Sequence, residues 1–103
     1  MAAPDEIIHQ TMRLRIMATL HALPEDALLE FTRLRAILGA TDGNLGTHLG
    51  TLEGAGYIVV TKDFFGRKPR TRLAATAAGR AAFEAHLAFL RGLLAEAAAA
   101  VKS

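Results

Sequence analysis

Between residues 28 and 54 two apolar helical patterns are separated by almost nothing. In "LLEFTRLRAILG" (28 to 39), Phe31, Leu34, Ile37 and Leu38 recur at helical spacing, and Gly39 stands where a left-handed C-cap residue belongs. Only Ala40 and Thr41 follow before the next helix, for which Thr41 is a good N-cap and Asp42 a favourable charge at the positive end. That helix carries Leu45, Leu49 and Leu52 at the 4, 3 spacing that stacks side chains on one face. Two short helices therefore meet across a tight turn.

The flanking chain supplies elements to pack around that joint. "IIHQTMRLRIMATLHAL" (7 to 23) sets Leu14, Met17 and Leu20 on one side and is bounded by Pro24, so it reads as a first substantial helix. "YIVVTK" (57 to 62) is β-branched and aromatic, and "RTRLAA" (70 to 75) alternates polar with apolar. Between these strands "DFFGRKP" places Gly66 and Pro69 as turn residues, which makes a β-hairpin with a basic tip. From Thr76, an N-cap, Phe83, Leu87, Leu90, Leu94, Ala97 and Val101 follow at spacings of 4 and 3, a seam suited to helix pairing. The expectation is a single domain over residues 1 to 103, mainly α with a small hairpin, its C-terminal helix running from 76 to 101.

Composition narrows the function. With 51% hydrophobic and 21% charged residues, the chain has the balance of a folded protein. The absence of cysteine excludes disulfides, thiolate metal sites and a cysteine nucleophile. Neither a signal-peptide pattern nor a long unbroken apolar run is present, so a cytoplasmic protein without a membrane span is expected. His9, His21, His48 and His86 fall on different elements, and no metal or other cofactor is expected. No Ser/His/Asp arrangement, Walker loop or paired-carboxylate motif occurs, and Gly43, Gly46 and Gly50 do not follow a strand as a phosphate-cradling loop requires. Enzymatic activity is therefore not expected. Net charge is only +2, but its distribution is uneven: Lys62, Arg67, Lys68, Arg70 and Arg72 lie within eleven residues, opposed only by Asp63.

The order helix, short helix, tight turn, helix, basic hairpin, long helix is that of a winged helix-turn-helix domain. "HQTMRLRIMATL", "FTRLRAILGATDGNLGTHLGTLEGAGYI" and "FFGRKPRTRLAATAAGR" resemble the corresponding blocks of MarR/ArsR-like winged-helix regulators. The likeness is strongest to the small stand-alone group with a T-D-G-N-L helix start and a G-R-x-P-R-T wing. It spans residues 9 to about 90, and it implies a dimeric, DNA-binding transcriptional regulator. One departure is plain: where relatives commonly carry Ser, Arg or Lys on the recognition helix, this chain has Gly46, Thr47, Gly50 and Thr51.

On a helical wheel centred on Leu45, the residues Gly43, Thr47, Gly50, Thr51 and Gly54 lie opposite the core face, with Asn44 at its edge. Asn44, Thr47 and Thr51 are the candidates for contacts in the major groove of double-stranded DNA, Asn44 by bidentate pairing with adenine. The glycines permit close approach of DNA or protein, or they are a tolerated cost on a helix held by its leucines. Arg67, Lys68, Arg70 and Arg72 are the candidates for phosphate contacts; a charged hairpin also serves as a guarded sheet edge. His48 is expected to pack or hydrogen-bond locally. Phe83, Leu87, Leu90 and Leu94, widened by Phe89 and Leu93, are expected to form the interface of a homodimer, which would set two recognition helices about one DNA turn apart. A winged-helix module that binds protein and has lost specific DNA readout is the alternative, favoured by the missing helix cations and opposed by the basic wing. No effector pocket is legible in the sequence.

Overall fold

The computed structural model, which describes residues 3–103, places the tight joint where the glycine and threonine require it. Helix α2 (Phe31–Leu38) ends at Gly39, whose φ of 62° is left-handed and costs a residue without Cβ little. Helix α3 (Asp42–Gly54) begins after Thr41, whose hydroxyl accepts the Asn44 N–H at 3.2 Å. Arg35 on α2 pairs with Asp42 on α3, tying the two helices across the turn. Ahead of them lies α1 (Thr11–His21), and after them come strands β2 (Ile58–Phe65) and β3 (Lys68–Ala75) and the long helix α4 (Ala77–Lys102).

One element has no counterpart in the sequence reading. Leu29 and Glu30 form a two-residue strand, β1, that pairs with Leu73 and Arg72 of β3, so α2 starts at Phe31 rather than Leu28. The sheet is three-stranded and antiparallel in the order β1-β3-β2. The first helix also starts later, at Thr11, with the Gln10 side chain accepting the Arg13 N–H as its cap. Ahead of it a separate turn is held by the Asp5 carboxylate, which accepts the N–H groups of Ile7 and Ile8 at 2.8 Å and seats Ile8 in the core.

The core gathers the apolar stripes of all these elements. Ile8, Ile16, Met17, Leu20, Leu34, Leu45, Leu52 and Leu73 are fully enclosed, with Leu38, Leu49, Ile58 and Phe83 nearly so. Two adjacent residues lock α4 onto this core. Gly79 passes so close to β2 that a Cβ there would lie 2.0 Å from the Tyr57 carbonyl oxygen, a contact only glycine permits. Beside it, the Arg80 guanidinium donates to the carbonyls of His21 and Leu23 at 3.1 Å, so a cation meets the otherwise unpaired C-terminal end of α1.

Helix α4 then outruns the domain. Its 26 residues span about 39 Å at 1.5 Å per residue. Every residue from Arg91 onward is exposed, and the molecule measures 64 × 25 × 22 Å. Phe83, expected at a partner interface, is only 6% exposed and belongs to the chain's own core, and Leu87 packs against that core. The uncovered apolar residues lie further along, at Leu93, Leu94 and Val101.

Candidate nucleic-acid interface

The exposed side of α3 is polar, neutral and shallow. Asn44 and Thr47 are exposed and Thr51 is half-buried. The Thr47 hydroxyl donates to the Gly43 carbonyl at 2.9 Å, and the Thr51 hydroxyl to Thr47 at 3.3 Å, so each turns its proton back onto the helix and leaves lone pairs and a methyl group facing outward. A Cβ at Gly43, Gly46, Gly50 or Gly54 would meet nothing within 4 Å. None of these glycines is demanded by packing inside the protomer.

The wing's two faces differ sharply, and the register of the hairpin decides which residue belongs to which. Strands β2 and β3 pair from Ile58 with Ala75 to Phe65 with Lys68, leaving only Gly66 and Arg67 in the loop. The turn is thus shorter than the sequence pattern implies, and Pro69 lies inside β3. A two-residue loop is closed by a hydrogen-bonded pair, so the next residue, Pro69, turns its missing N–H away from β2 toward the edge that short β1 leaves uncovered.

Because side chains alternate along a strand, Ile58, Val60, Lys62 and Phe64 share one face with Leu73, Thr71 and Pro69. This inner face continues the core and then becomes one wall of a groove opposite α3. The groove, about 540 Å³, is lined by Gly46, Leu49, Gly50 and Glu53 from α3, by Phe31, and by Val60, Lys62, Thr71 and Leu73 from the sheet. The smooth stripe of α3 is therefore a wall of a real concavity.

The outer face holds an ion cluster. Asp63 accepts two hydrogen bonds from Arg70, both 2.9 Å, and a third at 2.9 Å from Arg72. The hydrogen bond from Arg70, opposed by partial burial and aided by both arginine charges, holds the Asp63 carboxyl at about 2. The same contact raises Arg70. Arg70 also lies over the Phe65 ring, 5.5 Å from its centroid. Two of the four wing cations expected to reach phosphate are therefore engaged within the hairpin, while Arg67 and Lys68 at the tip are exposed. Lys62, part of the basic cluster in the sequence but not among the expected contacts, is exposed on the inner face; strand alternation was the signal that could have found it.

The histidines serve structure. Arg13 lies 3.2 Å from His48 Nδ1, joining α1 to α3. His21 lies 3.0 Å from Glu84, a carboxylate partner 63 residues away that the linear sequence does not reveal. His86 is 2% exposed, and its Nδ1 accepts the Asp5 N–H at 3.1 Å. Burial alone would raise the Asp5 carboxyl, but hydrogen bonds from the Tyr57 hydroxyl and the N–H groups of Ile8 and Ile7, with His86 nearby, hold it below its ordinary value. No group of three His, Asp or Glu side chains suited to a metal ion occurs among the described residues. No helix among them is long and apolar enough to cross a membrane.

Helix α3 set against α2 across a tight turn, with a hairpin beside it, is the architecture of a winged helix DNA-binding domain. The family model of that description matches residues 12–94, and the chain belongs to this family. An uncharacterised protein of Methanocaldococcus jannaschii is 33% identical over 82 residues, spanning 80% of this chain and 86% of that one. Among solved structures, a transcriptional regulator homologue from Pyrococcus horikoshii superposes with a TM-score of 0.80 at 27% identity, covering 89% of this chain and 88% of that one. A DNA-binding regulator is the function these likenesses support.

Proposed function

We propose that the chain is a homodimeric transcriptional regulator of the MarR/ArsR-like kind that acts on double-stranded DNA in the cytoplasm as one domain. Helix α3 enters the major groove with Asn44, Thr47 and Thr51 toward the bases, and one DNA strand passes between α3 and the wing. The observation that carries this reading is the groove itself: on its α3 side Gly46 and Gly50 leave open space beside Leu49 and Glu53, and Lys62 stands on the facing wall. Arg67 in the loop and Lys68 opposite Phe65 add exposed positive charge at the wing tip, where phosphates are neutralised without regard to sequence. Arg70 and Arg72 act mainly through Asp63, bracing the hairpin. The dimer forms through α4 beyond its buried first half, with Leu90, Leu93, Leu94 and Val101 facing the partner; Leu93, Leu94 and Val101 are 47%, 73% and 85% exposed.

The test is binding to the chain's own promoter region against random DNA at two salt concentrations. Both affinities fall as salt rises, and the promoter keeps its advantage. Asn44→Ala removes about 1 to 3 kcal/mol from the promoter complex per bidentate contact and leaves random-DNA binding nearly unchanged. Equal affinity for the two DNAs at both salts would favour the protein-binding module, to which the absence of Arg and Lys on α3 already points.

A further inference from the structure

The wing tip carries two large apolar side chains that the protomer leaves in solvent: Phe64 is 68% exposed and Phe65 72%. They sit on the last rungs of a fully paired hairpin, Phe64 opposite Pro69 and Phe65 opposite Lys68. An edge hairpin with exposed aromatic residues invites aggregation, and the neighbouring β3 edge shows the usual guards against it, a lysine and a proline. Two phenylalanines at such a place call for a partner.

Their environments differ. Phe65 is on the outer face, with the Arg70 guanidinium over its ring and Asp63 holding Arg70 in place. Phe64 is on the inner face, about 7 Å beyond Lys62 along the strand. No aromatic or cationic partner covers its ring among the described residues. Arg67, in the loop, and Lys68, opposite Phe65, follow three and four residues later. An exposed aromatic ring on a paired ribbon, with Lys62 on its own face and Arg67 and Lys68 at the same tip, matches a polyanion that also offers flat apolar faces. Nucleic acid has that chemistry; an apolar protein surface would have to bury Lys62, Arg67 and Lys68 without counter-charges.

Resting on the DNA-binding reading, we infer that Phe64 is a wedge: its ring enters the minor groove of the duplex beside the α3 site and partly unstacks one base step. Lys62, Arg67 and Lys68 hold the flanking phosphates meanwhile. The wing then does more than add charge. It makes affinity depend on how easily a step away from α3 can be opened, so flexible pyrimidine–purine steps are preferred at positions that no polar side chain reads. A helix without cations and with few polar groups gains discrimination in this way.

The experiment uses duplexes of about 30 base pairs, long enough for two half-sites, selected by the full-length protein from a random pool. A base analogue that fluoresces when unstacked is placed in turn at each step flanking the site. Wild-type protein is expected to raise emission at one step on each flank, and Phe64→Trp to retain the rise. Phe64→Ala, at an exposed position that folding does not need, is expected to lose it and to bind about 5- to 150-fold more weakly. Arg67→Ala should weaken binding yet keep the rise in the saturated complex. Flat emission in a saturated wild-type complex, or wild-type affinity in Phe64→Ala, overturns the wedge and leaves Phe64 to a protein partner. A changed sedimentation mass for Phe64→Ala overturns it in favour of a second copy of the chain. Failure of the wild type to bind any duplex overturns the regulator reading together with the wedge, which separates the two failures.

Discussion

Replacing both Gly46 and Gly50 with alanine should make the protein more stable while leaving its DNA binding intact. Both glycines are interior to α3, where each costs about 1 kcal/mol relative to alanine, whereas Gly43 and Gly54 are at the helix ends and cost less. A Cβ at either position meets nothing within 4 Å, so no clash subtracts from the gain. The double substitution is therefore worth about 2 kcal/mol, part of it from the loss of freedom in the unfolded chain. For a domain of this size each kcal/mol moves the melting temperature by about 4–8 °C, so the pair should raise it by about 8–16 °C. Urea unfolding followed by circular dichroism measures the change, and an unaltered m-value shows that the same surface is exposed on unfolding. Two methyl groups occupy little of a groove of about 540 Å³, so binding to the promoter should stay near wild type. Gly50→Leu, by contrast, puts a branched side chain where the DNA strand is proposed to pass, and should abolish specific binding in a folded protein. A double-alanine variant no more stable than wild type would refute the reasoning, because something must then touch these positions that the protomer does not contain. A Gly50→Leu variant with normal promoter affinity would show that the stripe does not face DNA.

Three further outcomes follow from the same geometry. Arg67→Ala should flatten the slope of log affinity against log salt by about 0.9 per protomer, about 1.8 in a dimer, and weaken random and specific DNA alike; Arg70→Ala should change it less, because two hydrogen bonds to Asp63 already occupy that guanidinium. Gly79→Ala should cost about 1–3 kcal/mol or more in urea unfolding, since its Cβ would overlap the Tyr57 carbonyl and push α4 off the sheet. Leu94→Asp should leave the domain folded and turn a dimer into a monomer in sedimentation, because a 73% exposed leucine has no role inside the protomer and a charge cannot enter an apolar interface unpaired.

Local chemistry makes much of this fold legible in the sequence. The α2–α3 joint was readable because Gly39 and Thr41 act on their nearest neighbours and the leucines repeat with the helical period. What stayed hidden depends on residues far apart in the chain. Strand β1 is two residues long, too short to show a period, and exists only because β3 offers Leu73 and Arg72 as partners. "TAAGR" belongs to the block that resembles winged-helix regulators, but the sequence does not say that Gly79 lies under Tyr57 or that Arg80 reaches the end of α1. In the wing, strand alternation sets Lys62 in phase with Ile58 and Val60, but the grip of Asp63 on Arg70 and Arg72 depends on the pairing register between the strands. A slip of one residue in register would have put Arg70 and Arg72 on the same face as Lys62 and broken their pairing with Asp63. Phe83 shows the same limit on α4: spacing marks the seam, while only the height of the domain decides where the core ends and a partner can begin.

Asp63 gives the wing's charge its direction. The hairpin carries Lys62, Arg67, Lys68, Arg70 and Arg72 against this one carboxylate, and had the acid been absent, both faces would attract phosphate and the wing could lie on DNA in two orientations. By gripping both arginines of the outer face, Asp63 leaves the free positive charge on the inner face and at the tip. Along the strands the unpaired charge is then Lys62, on the side that looks toward α3, with Arg67 and Lys68 at the tip. In the proposed complex α3 has no Arg or Lys of its own to hold it in a groove, so its orientation would come from elsewhere in the domain. In the proposed complex, a hairpin joined to α3 through a common core would present Asn44, Thr47 and Thr51 to the bases when its own cations meet phosphate. That division also limits the electrostatics. In the proposed dimer, Lys62, Arg67 and Lys68 of each protomer would account for about 5.4 of the salt slope, so a neutral recognition helix need not leave the protein weakly bound.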